Sequence, residues 1–518
     1  MLRHQAGLIT FQHVIGKTNG SVTSYFGIPF AEPPINGSYN GTINATVAAA
    51  QCLQMSSLPR SDSPPEIVQA VMQYTAAFSA LRTDAPQSED CLTINVQVPA
   101  GTKPGAKLPV LMRPTDCWGK TGGFMSGSTA MYNGNAIVQC SIELEMPTIF
   151  VNMNYCVTAA FGFLGGKEVK EAGIGNLGLQ DQRLALKWIQ KHISAFGGDP
   201  VKVTIWGKSA GTISVASHMV TNGGNNEGLF HGTIMNSGSP LPVGDIESVQ
   251  AAYDTVVAHA GCAASKDTLK CLREAPADIL LAGANILPNL FNYPGLSEPW
   301  SPRADGVFLK VLPQHLVLAG SVSNVPFITG DCLDKGTAFA TGSFNVTTEG
   351  EFREYIHQFY FSHAPRVALT PLFELYPNDP AVGSPFGTST VNQLAPQFKR
   401  MAAFQGDVIF QAPRWFFLDQ RSTKQHAWSF NDLVHQAHGT DLPPAMGGND
   451  LADYIIQFTN TLDPNGASNC TIHWPRYDLL TRQILWLVEG NVPLEIKHDT
   501  ARLEAMAALT AISIAFPI

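Results

Sequence analysis

Apolar, β-branched runs alternate along the chain with stretches whose apolar residues recur at helical spacing. Residues 22–34, Val-Thr-Ser-Tyr-Phe-Gly-Ile-Pro-Phe-Ala-Glu-Pro-Pro, predict a strand that closes in a proline-fixed loop. Leu108–Met112 and Pro147–Tyr155 predict two further strands, His231–Gly238 a short one, and Val325–Gly330 and Ala427–Phe430 two late ones. Between them Gly178–Ile193 has helical periodicity and ends before Gly197-Gly-Asp-Pro200. Strands and helices in this alternation predict a mainly parallel sheet with its chemistry at the carboxyl ends of the strands.

Val201-Lys-Val-Thr-Ile-Trp-Gly-Lys-Ser-Ala-Gly-Thr-Ile-Ser-Val-Ala216 stands out from this pattern. It predicts a buried strand, a tight turn with Ser209 at its apex, and a helix beginning at Ala210, with Gly207 and Gly211 leaving room for the turn. A serine hydroxyl held clear of its neighbours on such a turn can be presented to a base and to backbone donors. The Gly122–Ser128 glycine loop can aim backbone N–H groups at a developing oxyanion. Cys52 and Cys91 bracket 38 residues, within which Ile67, Val68, Val71, Met72, Tyr74 and Phe78 fall at helical spacing. This pattern fits a surface helix packed on the core, or a movable amphipathic flap tethered by the two cysteines.

Composition narrows the partners more than the fold. The chain has 518 residues, 45% of them apolar and 14% charged, which suits a globular protein. Its net charge of −9 argues against nucleic acid and anionic membranes as partners. No run reaches the roughly 18 to 20 apolar residues that span a bilayer, and the first residues lack the continuous hydrophobic segment of a secretory signal. Against that, six N-x-S/T triplets begin at Asn19, Asn36, Asn40, Asn44, Asn345 and Asn469. With nine cysteines, enough for at most four bridges, they favour a secreted glycoprotein whose export signal is missing from this start. No cofactor is expected and no metal site, since His435 and His438 form an i, i+3 pair without a convincing third ligand.

Taken together, several ordered segments resemble the type-B carboxylesterase/lipase family of α/β-hydrolases, the group that contains cholinesterases and fungal lipases. They are Gly27–Pro34, Ser88–Asn95, Gly122–Phe124, Gly175–Ala185, Phe196–Pro200, the Ser209 turn, His438–Leu442 and Trp474–Tyr477. The resemblance implies a single domain over residues 1–518, with residues 1–20 its least certain part. It implies an α/β-hydrolase fold whose mostly parallel central sheet is flanked by helices and carries cap or flap insertions. It also implies bridges Cys52–Cys91 and Cys262–Cys271, a small ester or lipid as substrate, Ser209 as nucleophile and His438 as its base. The N–H groups of Gly122, Gly123 and Ala210 take the place of the oxyanion hole.

Four departures bear on whether the site works. Asp331-Cys-Leu-Asp-Lys-Gly-Thr337 puts Lys335 where the family has its acid, with Asp334 as the candidate substitute. Lys208 precedes the nucleophile where Glu is common. Arg113–Thr121 lengthens the loop before the glycines, and Cys156 stands where the family usually has Arg. A cation beside the imidazole disfavours the imidazolium that the reaction requires. Two functions follow as expectations: ester hydrolysis through an acyl-enzyme on Ser209, or a catalytically impaired hydrolase-fold protein that binds ligands.

Overall fold

The β-branched runs of the sequence become the strands of an eleven-stranded mixed sheet in the computed structural model. The structure describes residues 13–32, 41–56, 64–79, 85–114, 122–155, 159–447, 450–466, 470–488 and 494–518, with the side chains of 73–79, 433–437 and 444 outside that description. In chain order the strands are β1 (His13–Ile15), β2 (Lys17–Asn19), β3 (Val22–Pro29), β4 (Thr42–Asn44), β5 (Thr93–Pro99), β6 (Leu108–Pro114), β7 (Ile149–Met153), β8 (Gly198–Lys208), β9 (Gly232–Asn236), β10 (Phe327–Asp334), β11 (Ala427–Ala437), β12 (Gln483–Leu487) and β13 (Leu494–His498). β1 and β4 form a separate parallel pair. The large sheet runs β13-β12-β11-β10-β9-β8-β6-β7-β5-β3-β2. Its members from β7 to β12 are parallel, and the two margins are antiparallel.

Alternation along the central strands explains why both faces are covered. Val110 and Met112 pack in one buried cluster and Leu111 in another; Ile205 and Met235 join the first, Trp206 and Ile234 the second. Successive residues of a strand point to opposite faces, so a strand covered on both is buried throughout, as β9 is along its whole length. The first face carries the helices Leu177–His192 and Ala210–Val220, and the second carries Asn135–Glu143 and Asp450–Thr461.

In the middle of the sheet, Lys208 at the end of β8 lies opposite Asn236 of β9, Asn236 is followed by Ser237, and Gly330 and Asp331 of β10 lie beside Phe430 and Asn431 of β11. One sheet edge therefore collects the carboxyl ends that lead to Ser209, Lys335 and His438.

Helix Pro65–Ser79 occupies the segment considered as a flap. Ile67, Ala70 and Val71 are buried and Met72 is exposed, as expected of a helix seated on the core by one face, and it lies beside the turn Phe339–Ser343. Disulfides Cys52–Cys91 and Cys262–Cys271 are both formed, at sequence separations of 39 and 9. Cross-linking the longer loop is worth about 4 kcal/mol on a chain-entropy account and the shorter about 3 kcal/mol. The double replacement Cys52→Ala/Cys91→Ala is therefore expected to lower the thermal midpoint more than Cys262→Ala/Cys271→Ala, as read by scanning calorimetry at one scan rate.

Candidate active site

Gly207 is required by the close approach of strand and helix at the Ser209 turn: a Cβ there would lie 2.2 Å from the carbonyl carbon of Gly211. Ser209 sits at φ 54° and ψ −122°, a strained conformation for a residue with a side chain, between β8 and helix Ala210–Val220. Its N–H donates to the Asn236 carbonyl at 2.9 Å, which ties the turn to β9. The Thr212 hydroxyl donates to the same carbonyl at 2.6 Å. The sheet thus holds the strain, and the hydroxyl is carried clear of the helix it precedes.

The structure brings His438 to this hydroxyl, with Nε2 and Ser209 Oγ 2.8 Å apart. The imidazole lies against the rings of Phe339 and Phe410, with centroids 5.2 and 4.7 Å away. Burial, and then the charges of Lys208 and Lys335, hold its pKa well below the ordinary value. A neutral imidazole can accept the serine proton, but its protonated form is disfavoured here.

Behind the imidazole is a buried charge cluster that sequence reasoning found only in part. Lys335 forms an ion pair with Asp331 at 3.3 Å and donates to Ser237 Oγ. Lys208 pairs with Asp441 at 2.6 Å and also donates to Ser237 Oγ. Arg414 reaches Asp331 at 3.2 Å and Asp499 at 2.7 Å. Asn236 Nδ2 and the Cys332 thiol complete the surroundings of Asp441 at 3.1 and 3.4 Å. Burial would raise the Asp441 pKa, but Lys208 and Lys335 outweigh it and pull it down to about 2. Asp331 and Asp441 are thus engaged by lysine and arginine. Each carries a signal in the sequence: Asp331 stands four residues before Lys335, and Asp441 three after His438.

Asp334 faces elsewhere. Its carboxylate accepts from Ser384 Oγ at 2.9 Å and from the Phe386 N–H at 2.8 Å, and burial pushes its pKa up to about 6 despite these bonds. Its hydrogen bonds among the described residues do not run to His438, so the geometry does not favour the substitute role considered for it. The side chain of His435, residues 115–121 of the lengthened loop, and Cys156 lie outside the described residues.

Gly122, Gly123 and Phe124 have φ of 65°, 64° and 60°, a left-handed run that curls the glycine loop toward the serine. Gly123 and Ala210 line the same pocket as Ser209, with Leu290, Phe339 and Phe410 among its apolar walls. A carbonyl held over Ser209 Oγ would lie in the pocket that Gly123 and Ala210 also line.

A parallel-centred sheet with a Ser–His pair at a strained strand-to-helix turn defines the α/β-hydrolase class. The chain belongs to the carboxylesterase family, whose sequence profile matches residues 7–460, and so falls among the carboxylic ester hydrolases. It is 40% identical over 499 residues to secreted lipase 1 of Botryotinia fuckeliana, covering 90% of this chain and 85% of that protein. It is 38% identical over 523 residues to a secreted triacylglycerol lipase of Gibberella zeae, covering 94% and 87%. The crystal structure of Aspergillus niger EstA superposes with a TM-score of 0.79 over 98% of this chain and 97% of that one, at 24% identity, which speaks to the fold alone.

Proposed function

We propose that this chain hydrolyses carboxylic esters through an acyl-enzyme on Ser209, and that it does so slowly because Lys208 and Lys335 disfavour the protonated form of its base. The observation that carries the reading is the 2.8 Å contact between Ser209 Oγ and His438 Nε2 at the strained turn. As Oγ attacks the ester carbonyl, Nε2 takes its proton, and the oxyanion is met by the N–H groups of Gly122, Gly123 and Ala210. Collapse breaks the ester C–O bond, and His438 returns the proton to the departing alcohol. Water then attacks the acyl-serine by the same route and releases the acid. Each half passes through imidazolium, which Lys208 and Lys335 disfavour.

A fluorophosphonate probe tests the nucleophile, because it needs an activated serine but no turnover. One adduct, on the Ser209 peptide by mass spectrometry, is expected; an unlabelled protein would overturn the proposal. The second reading, a binding protein of hydrolase fold, draws on the burial of both lysines and would be favoured by ligand binding without labelling. We further propose an acyl-chain substrate, in line with relatives named as lipases.

The chain is also proposed to be secreted and glycosylated. Two disulfides and secreted relatives support this, as does the exposure of Asn19, Asn44 and Asn345; Asn36, Asn40 and Asn469 lie outside the described residues. Glycosidase treatment of the protein from a secreting fungal host is expected to lower its intact mass, and an unchanged mass would count against glycosylation.

A further inference from the structure

The pocket that opens at Ser209 is not apolar throughout. Leu241, Val243, Leu290 and Phe339 would suit methylene groups, but Glu298, Ser301 and Arg303 line the same pocket. All three belong to one short segment, and the side-chain hydrogen bonds of Glu298 and Arg303 run to Trp300, Ser301, Ser248 and Ile518 rather than to the Ser–His pair. Glu298, 3% exposed, accepts the Trp300 N–H through Oε2 and the Ser301 hydroxyl through Oε1 at 3.0 Å. Each carboxylate oxygen can accept a second hydrogen bond. Arg303, 5% exposed, gives Nη1 to Ser248 Oγ at 3.2 Å and to the Ile518 carbonyl at 2.8 Å. Its Nε–H is buried and has no hydrogen-bond partner among the described residues. One wall of the pocket therefore combines spare acceptor capacity with an unused donor.

We propose that this wall selects acyl chains carrying a hydroxyl group over plain hydrocarbon chains of the same length. The inference rests on the proposed acyl-enzyme reading, which puts the acyl chain in the pocket shared by Ser209, Gly123 and Ala210. A hydroxyl is both donor and acceptor, so it can give its hydrogen to Glu298 and take one from Arg303. A methylene at the same place satisfies neither and still shields both from water. Sites built to hydrogen-bond a hydroxyl discriminate strongly against analogues without it. Here the discrimination is smaller, because Glu298 keeps its bonds to Trp300 and Ser301 whatever the substrate. Burial raises the Glu298 pKa to about 7, so near neutrality its carboxyl group is available as acceptor or as donor.

The test uses p-nitrophenyl esters in matched pairs, plain and ω-hydroxylated, from butyrate to decanoate. Once the chain is long enough to reach the wall, the hydroxylated ester is expected to have a kcat/KM about 10-fold higher, the ratio that one net hydrogen bond supplies. Glu298→Leu is expected to reverse the preference, and Glu298→Gln, which preserves size and polarity, to retain most of it. A preference for the plain ester at every length, or one ratio shared by wild type and both variants, would overturn the inference. The corresponding plain and ω-hydroxy amides, titrated calorimetrically into the unmodified protein, separate the two readings. Tighter binding of the hydroxy-amide without ester turnover would sustain the wall and sink the hydrolase reading. Ester turnover with equal binding of the two amides and no preference among the esters would do the reverse.

Discussion

Lys335→Glu is expected to raise kcat on a chromogenic ester by about 10² to 10⁴. The upper figure is what neutralising the acid costs a serine-protease triad, and the lower allows for a carboxylate that arrives without a preformed hydrogen bond to the imidazole. Two effects act together: the change removes a cation that disfavours His438 imidazolium and supplies an anion that favours it. The pH profile should move with the rate. In wild type the depressed pKa leaves His438 neutral, and competent as a base, far into the acid range. In Lys335→Glu the imidazole pKa rises, so the acid limb of kcat/KM shifts to higher pH. Lys335→Met removes the cation without adding an acid and should give a smaller gain with a shift of the same sign. A rate and limb unchanged in both variants would mean that another group already steadies the imidazole. Because the new glutamate would lie near Asp331, loss of the Lys335–Asp331 pair is expected to destabilise the protein. Circular dichroism must therefore show a folded variant before its rate is read.

How much of this was legible in the sequence differs from part to part. The Ser209 turn was, because an apolar β-branched run, two glycines and a helix-compatible stretch leave few other conformations. β8 and β9 came out nearly where their apolar runs stand, and β11 extends well past the predicted Phe430 to Ala437. β12 and β13 were missed: each has only five residues at the margin of the sheet, where partly exposed positions blur the pattern. The glycines of the 122–124 loop were legible as a loop, but the left-handed run through Phe124 was not, since nothing in a phenylalanine foretells a positive φ.

The charge cluster was half legible. Lys335 and Lys208 drew notice because each stands in a motif where an acidic residue is usual. Their partners did not, because the Lys208–Asp441 contact spans 233 positions of sequence and only the parallel strand order closes it. Asp334 and Asp331 could not be ranked by proximity in sequence to Lys335. The register shift between Cys332 and Asp334 at the end of β10 helps to separate them, leaving Asp331 with Lys335 and Arg414 while Asp334 turns to Ser384 and Phe386. Side-chain direction at the frayed end of a strand is set by the neighbouring strand, and no local pattern carries it.

Ser209→Ala is expected to have unequal effects in two backgrounds, and the inequality is the more informative result. In a protease in which serine, histidine and acid have been removed singly and together, loss of the serine costs about 2 × 10⁶ in kcat and loss of the acid about 3 × 10⁴. A Ser–His pair without its acid thus retains only about 10² of advantage over the bare site. If Lys335 leaves this chain in that condition, Ser209→Ala should lower kcat by about 10² in the wild-type background and by far more in Lys335→Glu, up to about 10⁶. Stopped assays on one ester, across wild type, both single variants and the double variant, give the four rates. The same large loss in both backgrounds would show that the triad is complete despite Lys335. Equal rates for wild type and Ser209→Ala, with a gain only in Lys335→Glu, would show a hydrolase silenced by one charge. The Ser209–His438 contact is short and the turn is strained in the direction catalysis requires, so the expected outcome is the intermediate one, in which the nucleophile works and the charge behind its base limits the rate.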